Sequence, residues 1–313
     1  MTIFLSEEEV EALLNMDEVV KAVEEAFRSQ GTGEAQNYMR TRTRGSASVL
    51  NVMHANSSYL GRGAVKAYMS SKAGTKFLAV LFDANDSTPL AVMAADMLGR
   101  YRTGAASGVA TKYLYGRRSG RLALFGSGKQ ALTQALALRS VMKVEEVRVW
   151  SPNPAHRDAF AEALRERGFP ATSCLTSAAA AEGADVVSAI TSSKTPFLDR
   201  ETLEHASHVN VCGGNVPDHA ELTASAVGSF DTVVVDDLSQ ARMEYGDLIQ
   251  ASSAGAFSWE SAFELGAVVA GSKKPKGRTL FKSGGAAIED VATASLIYEK
   301  AKSLGRYTEF RFY

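Results

Sequence analysis

Cysteine is scarce: the 313 residues hold two, Cys174 and Cys212, and no CxxC pair. Two thiols cannot build a disulfide framework, so a reduced, cytoplasmic compartment is expected. Long apolar runs are absent as well. No run approaches the roughly 18 residues that a membrane helix needs, and Phe77-Leu-Ala-Val-Leu-Phe82 is strand-sized. Neither sign of charge dominates, with 34 Lys and Arg against 35 Asp and Glu and a net charge of -1. Such a balance offers no general attraction for nucleic acid or an anionic membrane, and neither partner is expected. Met1-Thr-Ile-Phe-Leu5 runs into acids and a helical pattern, which is not a signal-peptide pattern. Repeats, low-complexity tracts and long linkers are missing too.

What is present reads as an ordinary globular chain, 45% hydrophobic and 22% charged. Its length suggests two domains at roughly 100–200 residues each. Residues 6–31 read as one or two helices, opened by a capping box of Ser6 and Glu9 and stopped at Gly31. Strand-like runs follow at 48–53, 63–69 and 77–82, and an Ala-rich helix over 102–114. From about 117 to 240 short apolar runs alternate with helices: strands at 122–125, 146–150, 185–190, 208–212 and 232–236. That alternation predicts βαβ units and a parallel sheet. A helix over 287–303 and a strand-like tail with Phe310 and Phe312 end the chain. The sheet domain therefore reads as an insertion between two parts of a second domain.

Gly126-Ser127-Gly128-Lys129-Gln130-Ala131 fits G-x-G-x-x-A, directly after a predicted strand and at the opening of a helix. The first glycine permits the tight turn, the second lets a pyrophosphate approach the backbone, and the small third residue lets helix pack on strand. The helix N-terminus offers unpaired amides to phosphate. Thr191, just past the run 185–190, is a further candidate cofactor contact. A carboxylate ending the second strand would mark NAD, yet no acid precedes Asp158 in Ser151-Pro-Asn153-Pro-Ala-His156-Arg157. Ser151, Asn153, His156 or Arg157 can instead hold a 2′-phosphate, so NADP(H) is favoured, with NAD(H) still open. Asn153 also reads as a helix cap and Arg157 as a solvated helix residue.

Other clusters carry less. His205 and His208 have no Cys or carboxylate companions and read as surface or capping histidines, so no metal is expected. There is no G-x-S-x-G elbow. Asp236-Asp237 reads as a cap or a solvent-facing pair, and Cys212 as packing.

Met53-His54-Ala55, Gly63-Ala64-Val65-Lys66, Arg102-Thr103-Gly104-Ala105-Ala106, the glycine motif, Gly246-Asp247 and Ser283-Gly-Gly-Ala-Ala-Ile-Glu-Asp290 occur in an order that resembles the ornithine cyclodeaminase/mu-crystallin family over nearly the whole chain. The resemblance implies an α/β protein with a Rossmann-type doubly wound parallel sheet, residues 114–286. This would be inserted into an α+β dimerisation and substrate domain, residues 1–113 completed by 287–313. A homodimer binding NAD(H) or NADP(H) is implied. Carried over residue by residue, the carboxylate-binding basic residues fall on Arg40 and Arg102, and the active-site lysine on Lys66. Thr103 would meet the cofactor phosphates, and Ser283 and Gly285 would line the nicotinamide. The residue types agree, because a guanidinium holds a planar carboxylate through two parallel hydrogen bonds. Arg42 and Arg44 would share the face of Arg40 in a strand.

One position departs from the family pattern. Where ornithine cyclodeaminases carry an aspartate, this chain has Asn215 in Gly213-Gly-Asn-Val-Pro-Asp218. An amide hydrogen-bonds a substrate nitrogen but takes no proton at neutral pH. The expectation is therefore an NAD(P)H-dependent reductase that converts a small imino or keto acid, a carboxylate, into an amino acid. Ornithine cyclodeamination is the alternative, with Asp218 as a possible stand-in for the aspartate. A mu-crystallin-like, NADP-dependent binding protein is the third reading.

Overall fold

A computed structural model describes residues 1–312 and divides into two compact units, Met1–Arg102 with the segment from Ala286, and Thr103–Gly285. The first unit opens with β1 (Thr2–Leu5), α1 (Glu7–Leu13) and α2 (Met16–Thr32). Next come β2 (Ala35–Asn37), β3 (Thr41–Arg44), β4 (Ser48–Ser57), β5 (Arg62–Ser71), β6 (Gly74–Asp83) and β7 (Pro89–Ala94). Helix α3 (Asp96–Leu114) leads to β8 (Ser119–Phe125), α4 (Ala131–Val141), β9 (Lys143–Trp150), α5 (Pro154–Arg165), β10 (Ala171–Ser173) and α6 (Ser177–Ala181). The second unit continues with β11 (Val186–Ala189), β12 (His208–Val211), α7 (Ala224–Val227), β13 (Thr232–Val235), α8 (Leu238–Glu244) and α9 (Gly246–Ser253). It closes with β14 (Phe263–Glu264), α10 (Leu265–Val269) and β15 (Thr279–Lys282), and α11 (Ala287–Leu304) and β16 (Thr308–Phe310) return to the first unit.

The expected α/β architecture is what the structure shows. In the first unit the described residues form one sheet in the order β16-β1-β7-β6-β5-β4-β2, with β3 also paired to β4. Strand register gives this sheet two unlike faces. Met53, Lys66 and Ala79 are paired side by side and buried, on the face that α11 covers. Leu50, Met69, Leu78 and Phe82 belong to the opposite set and are exposed. Period-2 alternation thus places a lysine on the covered face.

Local chemistry explains the helix ends. Ser6 and Glu9 form the capping box of α1. Helix α2 runs through Gly31 and stops at Gly33 (φ 84°), whose amide reaches the Gln30 and Ser29 carbonyls. Gly33, not Gly31, adopts the left-handed conformation that a side chain resists. The first residues are also a correction, since Thr2–Leu5 form a strand parallel to β7 before the helix begins.

The second unit is a parallel sheet in the order β10-β9-β8-β11-β12-β15-β13-β14. The chain moves outward from β8 to β9 and β10, then returns to β11 on the other side of β8. That reversal is the switch point at which such sheets bind ligands, beyond the carboxyl ends of their strands. Its strands β11, β12, β13 and β15 are buried throughout, as parallel strands covered on both faces must be.

The division falls inside α3, between Arg102 and Thr103, rather than at the end of the helix. The later turns of α3 pack tightly on α4: a Cβ on Gly104 would collide with the Thr133 carbonyl, and one on Gly108 would lie 3.0 Å from the Ala137 carbonyl oxygen. Helical periodicity runs unbroken across that point, so the pattern of residues shows no seam there. No helix among the described residues is long and apolar enough to cross a membrane.

Candidate active site

In the first unit three basic side chains are buried together. Lys66 stands on the covered face of β5, Arg102 in α3, and Arg40 just before β3, each less than a tenth exposed. Arg42 and Arg44 lie within β3 and are more exposed, so Arg40 is the member of the trio that turns inward. Two acids from the first turn of α11 answer this charge. Asp290 Oδ1 accepts from Lys66 Nζ at 2.7 Å and lies 3.0 Å from Arg102 Nε. Glu289 Oε2 accepts from Arg102 NH1 at 2.8 Å, and its other oxygen accepts from the Ala286 amide at 3.0 Å. Glu289 thereby caps its own helix and holds Arg102. Acids in a first helical turn are also favoured by the helix dipole.

The electrostatics of the cluster are unequal. Burial pushes the Lys66 ammonium down to about 8, helped by the charges of Arg102 and Arg40 and opposed by Asp290. Burial opposes the Arg102 charge too, but Asp290 and Glu289 more than offset it and its pKa rises. Two of the cations, Lys66 and Arg102, share the carboxylates of Asp290 and Glu289, and Arg40 lies near enough to lower the Lys66 pKa.

In the second unit a cleft of about 910 Å³ opens at the switch point, at the upper end of the roughly 300–1,000 Å³ usual for ligand sites. Gly126, Ser127, Gly128, Lys129 and Gln130 line it, with Ser151, Asn153, His156, Thr191 and Asn215. Trp150, Ile190 and Phe197 add apolar wall. Gly126 has φ 110°, and a Cβ there would come within 2.6 Å of the Ile190 carbonyl oxygen. A Cβ on Gly128 would meet open space, so its backbone is approachable from the cleft. Ala131 is buried at the start of α4. Each small residue of G-x-G-x-x-A therefore has its own steric reason, and the donors fit a dinucleotide pyrophosphate.

Several candidates sit differently from their reading in the sequence. Arg157 is buried and points NH1 at the Ser151 carbonyl (3.4 Å) instead of lining the cleft, so it is no solvated helix residue. Asn153 caps α5 by accepting from the His156 amide at 3.1 Å. Thr103, Ser283 and Gly285 are not on the cleft wall. Asp218 is exposed and paired with His219 at 3.0 Å, whereas Asn215 lines the cleft. His208 is fully buried in β12, between Thr279 and Asn210, and burial pushes its imidazole down to about 4. It is a neutral core histidine, not a surface one.

The sequence profile of the ornithine cyclodeaminase/mu-crystallin family matches residues 1–305. The chain belongs to this family. The solved Δ1-pyrroline-2-carboxylate reductase of Thermococcus litoralis, in complex with NADH and L-proline, is 32% identical with a TM-score of 0.93, over 99% of this chain and 100% of that one. An archaeal alanine dehydrogenase dimer with bound NAD is 32% identical with a TM-score of 0.92, over 100% of this chain and 99% of that one. Iminosuccinate reductase of Paracoccus denitrificans is 28% identical over 96% of this chain and 97% of its own length.

In this family member, buried carboxylates that the sequence reading passed over hold the loops in place. Asp236 is no solvent-facing acid. It accepts from Ser283 Oγ (2.7 Å), from the Gly284 and Gly285 amides (3.1 and 2.7 Å), and from the Tyr245 hydroxyl. It thus shapes the turn that contains Ser283 and Gly285. Glu221 accepts from the Thr191 amide at 2.7 Å and the Gly213 amide at 2.9 Å, tying together two loops of the cleft. Burial raises its pKa against the pull of Lys282. Lys282, itself 0% exposed, pairs with Asp247 at 2.7 Å, and Asp247 accepts from the Glu221 and Leu222 amides. The available signal was a charged residue inside an apolar strand or helix, since such residues are almost never fully buried unless paired.

Replacing Glu221 with Gln turns one of two acceptors into a donor facing an amide. Stability should fall by on the order of 2 kcal/mol in urea unfolding, with faster hydrogen exchange at Thr191 and Gly213. Unchanged exchange at both amides would show that Glu221 does not hold these loops.

Proposed function

We propose that this chain is an NAD(P)H-dependent reductase of a small imino or keto acid, producing the amino acid. The observation that carries the reading is the buried set of Arg40, Lys66 and Arg102, brought together from β5, α3 and the approach to β3. Guanidinium and ammonium donors arranged in this way suit one planar carboxylate. When bound in the cleft of the second unit, a reduced nicotinamide supplies the hydride. Reduction of a C=N bond adds that hydride to carbon and one proton to nitrogen. Lys66, with a pKa near 8, carries such a proton at neutral pH and can release it. For a keto acid, ammonia must first condense and water leave. Asn215 on the cleft wall can hydrogen-bond a nitrogen without taking its proton, which favours a preformed C=N over the amine chemistry of cyclodeamination.

Wild-type protein should oxidise NADPH or NADH with at least one of pyruvate plus ammonia, iminosuccinate or a cyclic ketimine, followed at the nicotinamide absorbance band. Its kcat/KM should hold below pH 8 and fall above about pH 8, because the lysine must keep its proton to grip the carboxylate and to donate. Lys66→Met should lower kcat/KM by roughly 10³-fold or more with little change in cofactor affinity. Silence of the wild type across the whole panel would sink the reading.

We also infer a preference for NADPH. Ser151, Asn153 and His156 line the cleft beyond β9, and none of the lining residues there is a carboxylate that would repel a 2′-phosphate. Ser151→Asp should raise the KM for NADPH about tenfold or more while sparing NADH. A wild type that uses NADH more efficiently than NADPH would overturn this preference.

The proposed assembly is a homodimer joined through the exposed sheet face of the first unit. Leu50, Met69, Leu78 and Phe82 make that face apolar, which is uncommon on a free surface. Sedimentation should show a dimer, and Met69→Glu together with Leu78→Glu should yield monomer. A dimer unaffected by these changes would place the interface elsewhere.

A further inference from the structure

Resting on the reading of Arg40, Lys66 and Arg102 as the carboxylate grip, we propose that Asp290 is its positioning residue: one carboxylate oxygen, shared by Lys66 and Arg102, holds both cations in register for a single substrate anion. The geometry is specific. Asp290 Oδ1 lies 2.7 Å from Lys66 Nζ and 3.0 Å from Arg102 Nε. These two cations come from different elements, strand β5 and helix α3, and like charges brought this close repel unless an anion stands between them. Glu289 takes the other side of the guanidinium through NH1 at 2.8 Å. Arg102 is therefore held by a hydrogen bond to Glu289 and an ion pair to Asp290 before any substrate arrives. Preorganisation of this kind spares the binding step the cost of ordering long side chains.

The charged groups acting on Lys66 from the elements around it are Asp290 on α11, Arg102 on α3 and Arg40 before β3, and Glu289 on α11 acts on Arg102. Tyr68, two residues along β5, acts on Arg102. Asp290 is what holds the proton on Lys66 against burial and against its two cationic neighbours. Without the Asp290 charge, Lys66 loses its proton at lower pH. The grip then loses the Lys66 charge under conditions where the wild type keeps it. A role in packing alone would leave that pH dependence unmoved.

The test is calorimetric titration of pyrrole-2-carboxylate, a planar carboxylate that cannot be reduced as an imine, into the protein with NADP⁺ present, across pH 6 to about 9.5. Wild-type affinity should weaken as pH rises through about 8. Asp290→Asn should bind at least tenfold more weakly at neutral pH, with its weakening displaced to lower pH. Asp290→Glu keeps both charges and moves the oxygen by one methylene, so it tests position even if the amide variant fails to fold. It should also lose at least tenfold in affinity while NADP⁺ binding stays intact. Folded variants that bind the analogue as tightly as the wild type, with the same pH midpoint, would overturn the role of Asp290 and leave the reductase reading standing. A wild type that binds no carboxylate at any pH would instead remove the grip on which both readings rest.

Discussion

The ion pair between Lys66 and Asp290, 2.7 Å long and shut away from solvent, is the constraint on which the first unit depends. An ammonium stripped of water without a partner costs several kcal/mol, and its attraction to a carboxylate offsets that only when the geometry is good. Strand β5 must therefore present position 66 to the covered face of the sheet, and α11 must begin at the height that brings its first turn over it. Glu289 ties that start to Arg102 and to the Ala286 amide at once. Register, helix position and side-chain charge are consequently one requirement. Buried ion pairs are poor sources of net stability, so folding stability alone does not explain five charged side chains gathered in this position.

The second unit meets a similar problem with the same device. Loops at the carboxyl ends of parallel strands carry amides that no strand pairs, and a buried amide needs an acceptor. Glu221 serves Thr191 and Gly213, Asp247 serves Glu221 and Leu222, and Asp236 serves Gly284 and Gly285. Lys282, on the buried strand β15, offsets part of the negative charge. Support from Glu221 holds two of the loops that line the cleft, at Thr191 and Gly213.

Family membership and local chemistry point the same way for the reaction. The relatives reported above include reductases of Δ1-pyrroline-2-carboxylate and of iminosuccinate and an alanine dehydrogenase, all handling small amino or imino acids by name. Within that range the asparagine at position 215 matters. It faces the cleft where a neighbouring acid, Asp218, turns to solvent and to His219. An amide there supports a neutral nitrogen better than an ammonium, in keeping with a C=N substrate.

Much of this protein was legible in the order of its residues. The alternation of short apolar runs with helices determined the parallel sheet, because strand and helix periods differ and parallel strands are buried on both faces. The small residues Gly126, Gly128 and Ala131 determined where a dinucleotide could approach, because each spacing answers a separate steric demand. Arg40, Lys66 and Arg102 were visible through family resemblance alone, since a lysine in a strand has no intrinsic direction. Tertiary structure decided the rest. It chose Arg40 over Arg42 and Arg44, turned Arg157 away from the cleft, and buried His208. It also brought Glu289 and Asp290 to basic residues nearly two hundred positions or more away in the chain. The reason is physical: a pairing between distant charges depends on which faces meet, and that follows from strand register and helix packing, not from any local run of residues.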